Sequence, residues 1–161
     1  MVCAQLEWGW PPYIGSSVRP SGAGRAQREG LRRFGMAFGT AYQIYDDCVD
    51  LFGVEAEAGK SLGTDLAKGK LTLPLLLAWE RATPAERVEL EERVKAWQPE
   101  SLERVTGFMR RYATFDPSRG FIHRYVMEAR ESLESIPASD GKCGLLGLTG
   151  FLERQTESLA G

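Results

Sequence analysis

Three aspartates at the end of an apolar segment are the residues in this sequence best suited to chemistry. Asp46, Asp47 and Asp50 follow the segment FGMAFGTAYQIY, and Gln43 precedes them by one helical turn. On a helix, Asp46 and Asp50 lie about 40° apart around the axis, and Asp47 lies about 100° from Asp46. Divalent cations such as Mg²⁺ prefer oxygen ligands and are usually held by one or two carboxylates together with phosphate oxygens. The pattern therefore predicts an open, carboxylate-lined metal site.

A basic, glycine-rich segment follows the aspartates. Lys60, Lys68 and Lys70, with Asp65 between them, are spaced by glycines at positions 59, 63 and 69. Glycine lets the backbone approach a phosphate closely, and a lysine ammonium contacts phosphate oxygens as a point charge. A lysine-rich loop by itself is usually only solvated. Within twenty residues of three aspartates, it favours a site for a multivalent anion held through a divalent metal.

Other kinds of site fit the motif less well. The segment lacks the alternating oxygen ligands and central glycine of an EF-hand, and no strand precedes a GxxxxGK[ST] run of the Walker A type. It also contains no Glu-x-x-His pair of the di-iron type. The aspartates could instead simply face solvent. Against this, the flanking residues are apolar on every side, and a carboxylate near a buried segment needs a partner.

The composition is that of an ordinary globular domain. The 161 residues are 43% hydrophobic and 26% charged, and the net charge of −2 gives no reason to expect nucleic acid as a partner. No apolar run approaches the roughly 20 residues that span a bilayer. Three scattered cysteines and one histidine argue against a disulfide framework, a zinc site and Ser/His/Asp catalysis. The cysteine usage suits a reducing compartment, so we expect a cytoplasmic protein without a transmembrane segment.

Helices are predicted on both sides of the motif, so the expected fold class is all-α, a helical bundle. A long helix is predicted over about 25–51, and it is apolar almost all round after Phe34, which indicates burial within a larger assembly of helices. Residues 53–69 read as a loop. Further helix starts are predicted from proline and capping residues at Thr72-Pro74, Thr83-Pro84-Ala85-Glu86, Pro99, Asp116-Pro117 and after a turn at 137–141.

The two motifs together resemble a known family. The run Gln43-Ile44, DDxxD at 46–50 and GKxxGxDLxxGKxTLP at 59–74 is similar to the second half of the trans-isoprenyl diphosphate synthases, the polyprenyl synthetase family. The resemblance implies the isoprenoid synthase fold, in which two aspartate-rich motifs face each other across a deep cavity. It also implies a Mg²⁺-assisted prenyltransferase that ionises an allylic diphosphate and condenses it with isopentenyl diphosphate.

The resemblance implies a role for each residue of the motif. The expected magnesium-binding residues are Asp46, Asp47, Asp50 and Asp65. The expected diphosphate-binding residues are Lys60, Lys70 and Gln43. Catalysis is expected to depend on Asp46, Asp47 and Lys60, since metal and lysine together neutralise the leaving diphosphate.

The sequence departs from the family upstream of the motif, where the first aspartate motif is absent. Residues 1–24 break any helical period and are predicted to form an irregular arm, whereas 25–161 corresponds to the C-terminal half of the bundle. We interpret the chain as a fragment or a naturally shortened homologue that supplies one wall of the metal site.

Two further interpretations stay open at the level of sequence. The chain could be a non-catalytic helical partner subunit of a complete prenyl diphosphate synthase, or a relative of the terpene cyclases that uses the same ionisation chemistry. A half-length bundle exposes more apolar helix surface than it can cover, which favours a homodimer or a complex with a synthase subunit.

Overall fold

The computed structural model describes residues 22, 24–53 and 62–159, and the regular structure within these ranges is entirely helical. The predicted all-α class is confirmed. The helices are α1 (Arg25–Phe52), α2 (Thr64–Ala67), α3 (Leu73–Arg81), α4 (Pro84–Lys95), α5 (Ser101–Arg111), α6 (Phe115–Ser132) and α7 (Asp140–Ser158). The predicted arm over 1–24 lies outside the described residues, apart from Gly22 and Gly24, and so does Lys60. None of the described helices combines the length and apolarity that crossing a membrane requires.

Helices α1 and α6 form the central pair of the fold, and α7 packs mainly against α6. Their shared core is built from small and branched side chains, among them Ala41 and Cys48 of α1 and Val126 of α6. The backbones also come close at the start of α1. A Cβ atom at Gly30 would lie 2.7 Å from the carbonyl oxygen of Ser132, so this position requires glycine. Close packing of α1 on α6 therefore fixes the helix that carries the aspartates.

A second core joins the far end of α1 to helices α2, α3, α4 and α5. Its members are Leu51, Leu66, Leu75, Ala78, Ala82, Leu90, Val105 and Met109. Helix α4 buries Leu90 completely in this core and exposes most of its other side chains. Because Cys48 belongs to the first core and Leu51 to the second, the aspartate motif lies where the two cores meet.

One face of α1 is open, which differs from the predicted burial on all sides. Met36 is 60% exposed and Tyr42 is 49% exposed, although both belong to the apolar part of the helix. The α1 residues that face α6 are covered, but no element in the described part of the chain covers Met36 and Tyr42. An apolar pattern all round a helix predicts neighbours on every side, but the described helices pack against only part of α1.

The start of α4 is fixed by the predicted capping box, which extends into a cluster at the end of α5. The hydroxyl of Thr83 accepts a hydrogen bond from the Glu86 backbone N–H at 3.4 Å, and Glu86 Oε2 accepts from the Thr83 backbone N–H at 2.9 Å. Glu86 Oε2 also accepts from the Tyr112 hydroxyl at 2.6 Å, and the Arg111 guanidinium lies 2.7 Å from its other oxygen. Hydrogen bonds from Thr83 and Tyr112 lower the pKa of Glu86 to about 2.

This cluster makes stability depend on pH in the acid range. Because the pKa of Glu86 is lowered by folding, its contribution is complete above the ordinary pKa of 4.5 and is lost as the pH falls through about 2. We expect the melting temperature of the parent chain to fall more steeply between about pH 5 and pH 2 than that of Glu86→Gln. Thermal unfolding followed by circular dichroism measures this difference. Glu92→Gln, at an exposed position of the same helix, is the control and should follow the parent. Parallel curves for the parent and Glu86→Gln would contradict the assignment.

Candidate metal and diphosphate site

A lysine between two carboxylates forms the centre of the candidate site. Lys70 Nζ lies 2.7 Å from Asp47 Oδ1 and 2.9 Å from Asp65 Oδ2. The amide of Gln43 donates a second hydrogen bond to Asp47 Oδ1 at 2.8 Å. Asp47 is only 6% exposed, whereas the Lys70 side chain keeps 22% of its surface in contact with solvent. The structure thus brings together four of the predicted site residues in one hydrogen-bonded group.

The local backbone explains why these side chains meet. Gln43 and Asp47 are four residues apart on α1 and therefore share a face of that helix. Helix α2 ends at Ala67. Two residues further on, Gly69 has a φ of 72°, in the left-handed region that favours glycine. This turn brings the Lys70 backbone N–H to 2.9 Å from the carbonyl oxygen of Asp65. The lysine is therefore directed back towards α1.

Burial and hydrogen bonding act in opposite directions on these groups. Burial raises the pKa of the Asp47 carboxyl group, and the hydrogen bonds from Lys70 and Gln43 offset only part of that effect. Burial also disfavours a charged Lys70, but its hydrogen bonds to Asp47 and Asp65 outweigh that effect and raise the pKa of the ammonium. Lys70 is therefore a firmly charged cation, and the charged form of Asp47 depends on it.

Asp50 has a different set of partners from Asp47. It is fully buried, and its Oδ1 accepts hydrogen bonds from the hydroxyl of Thr64 at 2.8 Å and from the Thr64 backbone N–H at 3.2 Å. Its Oδ2 accepts from the Asp65 backbone N–H at 3.0 Å. A carboxyl group at this position satisfies the free N–H groups of a helix start, so Asp50 caps α2 from another helix. The role of Asp50 as a metal ligand stays a prediction.

The same capping explains where the predicted loop over 53–69 is wrong. Residues Thr64–Ala67 form α2, preceded by Gly63 with a φ of 72°. A Cβ atom at Gly63 would lie 2.9 Å from the Trp97 ring, and the Gly63 N–H donates to the Asp50 carbonyl oxygen at 2.9 Å. Thr64 was not among the predicted site residues. The available signal for a helix start was Gly63, a residue accepted at the N-cap, followed by an acidic residue, Asp65, in the first turn.

Of the two remaining predicted site residues, the structure describes Asp46 but not Lys60. Asp46 is half-buried and lies next to Asp47 on α1, whereas Lys60 lies outside the described residues. Among the residues described, no three acidic, histidine or cysteine side chains converge into a metal-binding cluster. The donor set nevertheless fits Mg²⁺, because that ion needs only one or two protein carboxylates beside phosphate oxygens and water. The Lys70 ammonium stands where Asp47 and Asp65 jointly attract a cation.

Comparison with known proteins places the chain in a family. Residues 17–111, more than half of the sequence, match the sequence model of the family described as Polyprenyl synthetase. The chain belongs to this family, as the motifs over 43–74 had suggested.

Individual relatives agree with this membership. The chain is 30% identical over 129 residues to the octaprenyl diphosphate synthase of Haemophilus influenzae, covering 80% of this chain and 39% of that protein. It is 28% identical over 135 residues to component 2 of the heptaprenyl diphosphate synthase of Bacillus subtilis, covering 84% of this chain and 38% of that protein. The chain therefore spans about two fifths of the length of these relatives.

A solved structure supports the fold. A polyprenyl synthase from Caulobacter crescentus CB15, complexed with calcium and isoprenyl diphosphate, superposes with a TM-score of 0.74 at 30% identity. The superposition covers 86% of this chain and 42% of that one. The described helices thus form part of the fold of that synthase.

The capping role of Asp50 can be measured through stability. Asp50→Ala leaves the N–H groups of Thr64 and Asp65 without their buried acceptor, which we expect to cost roughly 2–3 kcal/mol. Chemical denaturation gives this value directly. Asp46→Ala, at a half-buried position four residues earlier, should lower stability less. If Asp50→Ala unfolds at the denaturant concentration of the parent, Asp50 does not hold the start of α2.

Proposed function

We propose that this chain forms the metal- and diphosphate-binding wall of a prenyl diphosphate synthase and carries the second aspartate-rich motif of the family. The reaction is the transfer of an allylic group from its diphosphate to isopentenyl diphosphate. The single observation that best supports this is the group of Asp47, Lys70 and Asp65, which combines carboxylates and a fixed cation in a chain of the polyprenyl synthetase family.

The carboxylates are proposed to hold Mg²⁺ beside the C-terminal part of α1. Asp46 and Asp47 present oxygens from adjacent positions of the helix. Asp65 is proposed as a third carboxylate, because Lys70 holds it close to Asp47. When bound together with a diphosphate, Mg²⁺ supplies positive charge that stabilises the leaving group. The related synthase complexed with calcium and isoprenyl diphosphate supports a divalent cation in this role.

The lysines are proposed to bind the diphosphate. Lys70 is oriented by Asp47 and Asp65, so its position is fixed before a ligand arrives. Lys60 is assigned by the family motif, as is Gln43, whose amide also orients Asp47. Cations held in place at the departing diphosphate lower the barrier to breaking the carbon–oxygen bond, because negative charge develops there as the allylic cation forms.

The opposite wall of such a site is proposed to come from another polypeptide or from further sequence of the same protein. The open face of α1 at Met36 and Tyr42 and the relative named as component 2 of a synthase favour an association of this kind. In the alternative function, the chain is a non-catalytic partner subunit, and its aspartates and lysines are dispensable. Cys48 and Cys143 are both free thiols, in keeping with the proposed cytoplasmic location.

Binding of a diphosphate analogue tests the proposal. Isothermal titration calorimetry should detect binding of methylenebisphosphonate that requires Mg²⁺. Asp46→Ala and Lys60→Ala should each weaken it about tenfold or more, since each loses a charge-assisted interaction. Lys68→Ala, at an exposed position of the same segment, should bind like the parent. Binding that is independent of Mg²⁺, or equal in all four proteins, would overturn the assignment and favour the partner-subunit alternative.

A further inference from the structure

The position of Lys70 makes it a competitor of the metal for the carboxylates of Asp47 and Asp65. Its ammonium lies between Asp47 and Asp65, within hydrogen-bond distance of one oxygen of each. We propose that Lys70 is a built-in counter-cation that keeps the affinity of these carboxylates for a bare divalent cation low and links metal binding to the arrival of a diphosphate. This inference rests on the proposed function, because it concerns the same site.

The Lys70 ammonium has enough hydrogen-bond donors to contact the two carboxylates and a phosphate group at the same time. A lysine ammonium has three donors. Two are directed at Asp47 and Asp65, at distances of 2.7 Å and 2.9 Å that are typical of charge-assisted bonds. The Lys70 side chain keeps 22% of its surface exposed, so a third donor can reach an oxygen outside the protein. Lys70 can therefore keep both carboxylates in place while it contacts a phosphate group.

The charges explain the link between the two ligands. Two carboxylates and one ammonium leave a net charge of −1 in the group, whereas the carboxylates without the lysine would present −2 to a divalent cation. The lysine thus weakens the attraction for a metal that arrives first. A diphosphate adds several negative charges beside the group and attracts both Lys70 and the metal. Metal and diphosphate consequently raise each other's affinity, and the coupling is reciprocal.

The chain offers a matched comparison in Lys68. It lies two residues before Lys70, directly after α2, and its side chain is exposed. Lys70 differs because the turn at Gly69 and the bond from its backbone N–H to the Asp65 carbonyl oxygen direct it towards α1. Each lysine contributes one positive charge to the same segment, but of the two only Lys70 is held against the carboxylates.

Titration of the full chain with Mg²⁺ in the absence of any diphosphate tests the proposal. Lys70→Met should bind Mg²⁺ about tenfold or more tightly than the parent, on the scale by which a neighbouring charge alters the affinity of a carboxylate for a proton. Lys70→Arg retains the positive charge and should bind Mg²⁺ as weakly as the parent. Lys68→Met should leave the affinity unchanged. Equal or weaker Mg²⁺ binding by Lys70→Met would overturn the proposal, since a merely structural lysine predicts a loss.

The titration is repeated with methylenebisphosphonate present. In the parent, the bisphosphonate should tighten Mg²⁺ binding. In Lys70→Met the factor by which it tightens Mg²⁺ binding should be smaller by about tenfold or more, because the lysine no longer couples the ligands. An unchanged enhancement in Lys70→Met would contradict the coupling role.

Folding of the variants is checked by thermal unfolding. Without metal, Lys70→Met should melt below the parent, and saturating Mg²⁺ should raise its melting temperature more than that of the parent, by mass action. Lys70→Gln is the second variant, because its amide can still donate to both carboxylates without a charge, and it too should bind Mg²⁺ more tightly.

If the parent never binds bisphosphonate but both neutral variants gain Mg²⁺ affinity, the proposed function fails and the counter-cation role stands. If the parent binds the bisphosphonate but its neutral variants gain no Mg²⁺ affinity, the proposed function stands and the counter-cation role fails.

Discussion

The structure around the site depends on the need of buried carboxyl groups for partners. Asp47 and Asp50 lie on the part of α1 that two hydrophobic cores enclose, where an unpartnered carboxyl group would be costly. Each draws in a different part of the following segment. Asp50 binds the first N–H groups of α2, and Asp47 binds the lysine that follows α2. The path of residues 62–70 is thus determined largely from α1.

This arrangement gives the three aspartates of the motif different surroundings. Asp50 is the most buried of the three aspartates, and its hydrogen bonds hold the start of α2. Asp47 is shared between a glutamine of its own helix and a lysine from the returning chain. Asp46 stays nearer the solvent. The spacing of the three aspartates on a helix turns each towards a different environment, and the environment sets what each can do.

The sequence was sufficient for the helical class, the long first helix and the capping box at Thr83, because these follow from local patterns. It could not show that Asp50 caps α2, since cap and helix are 14 residues apart in the chain. It also could not show that Lys70 is paired with Asp47, because the pairing depends on a turn at Gly69. The open face of α1 at Met36 was missed for a related reason. Apolar residues predict that a helix face is covered, but not by which element.

The bonds around Asp50 also determine how α2 is placed relative to α1. Gly53 ends α1 through a bond to the Val49 carbonyl oxygen, and the Gly63 N–H is bonded to the carbonyl oxygen of Asp50, so both glycines are joined to the same helical turn. The Asp50 carboxyl group adds bonds from that turn to the first residues of α2. A displacement of the last turn of α1 would therefore carry α2 with it.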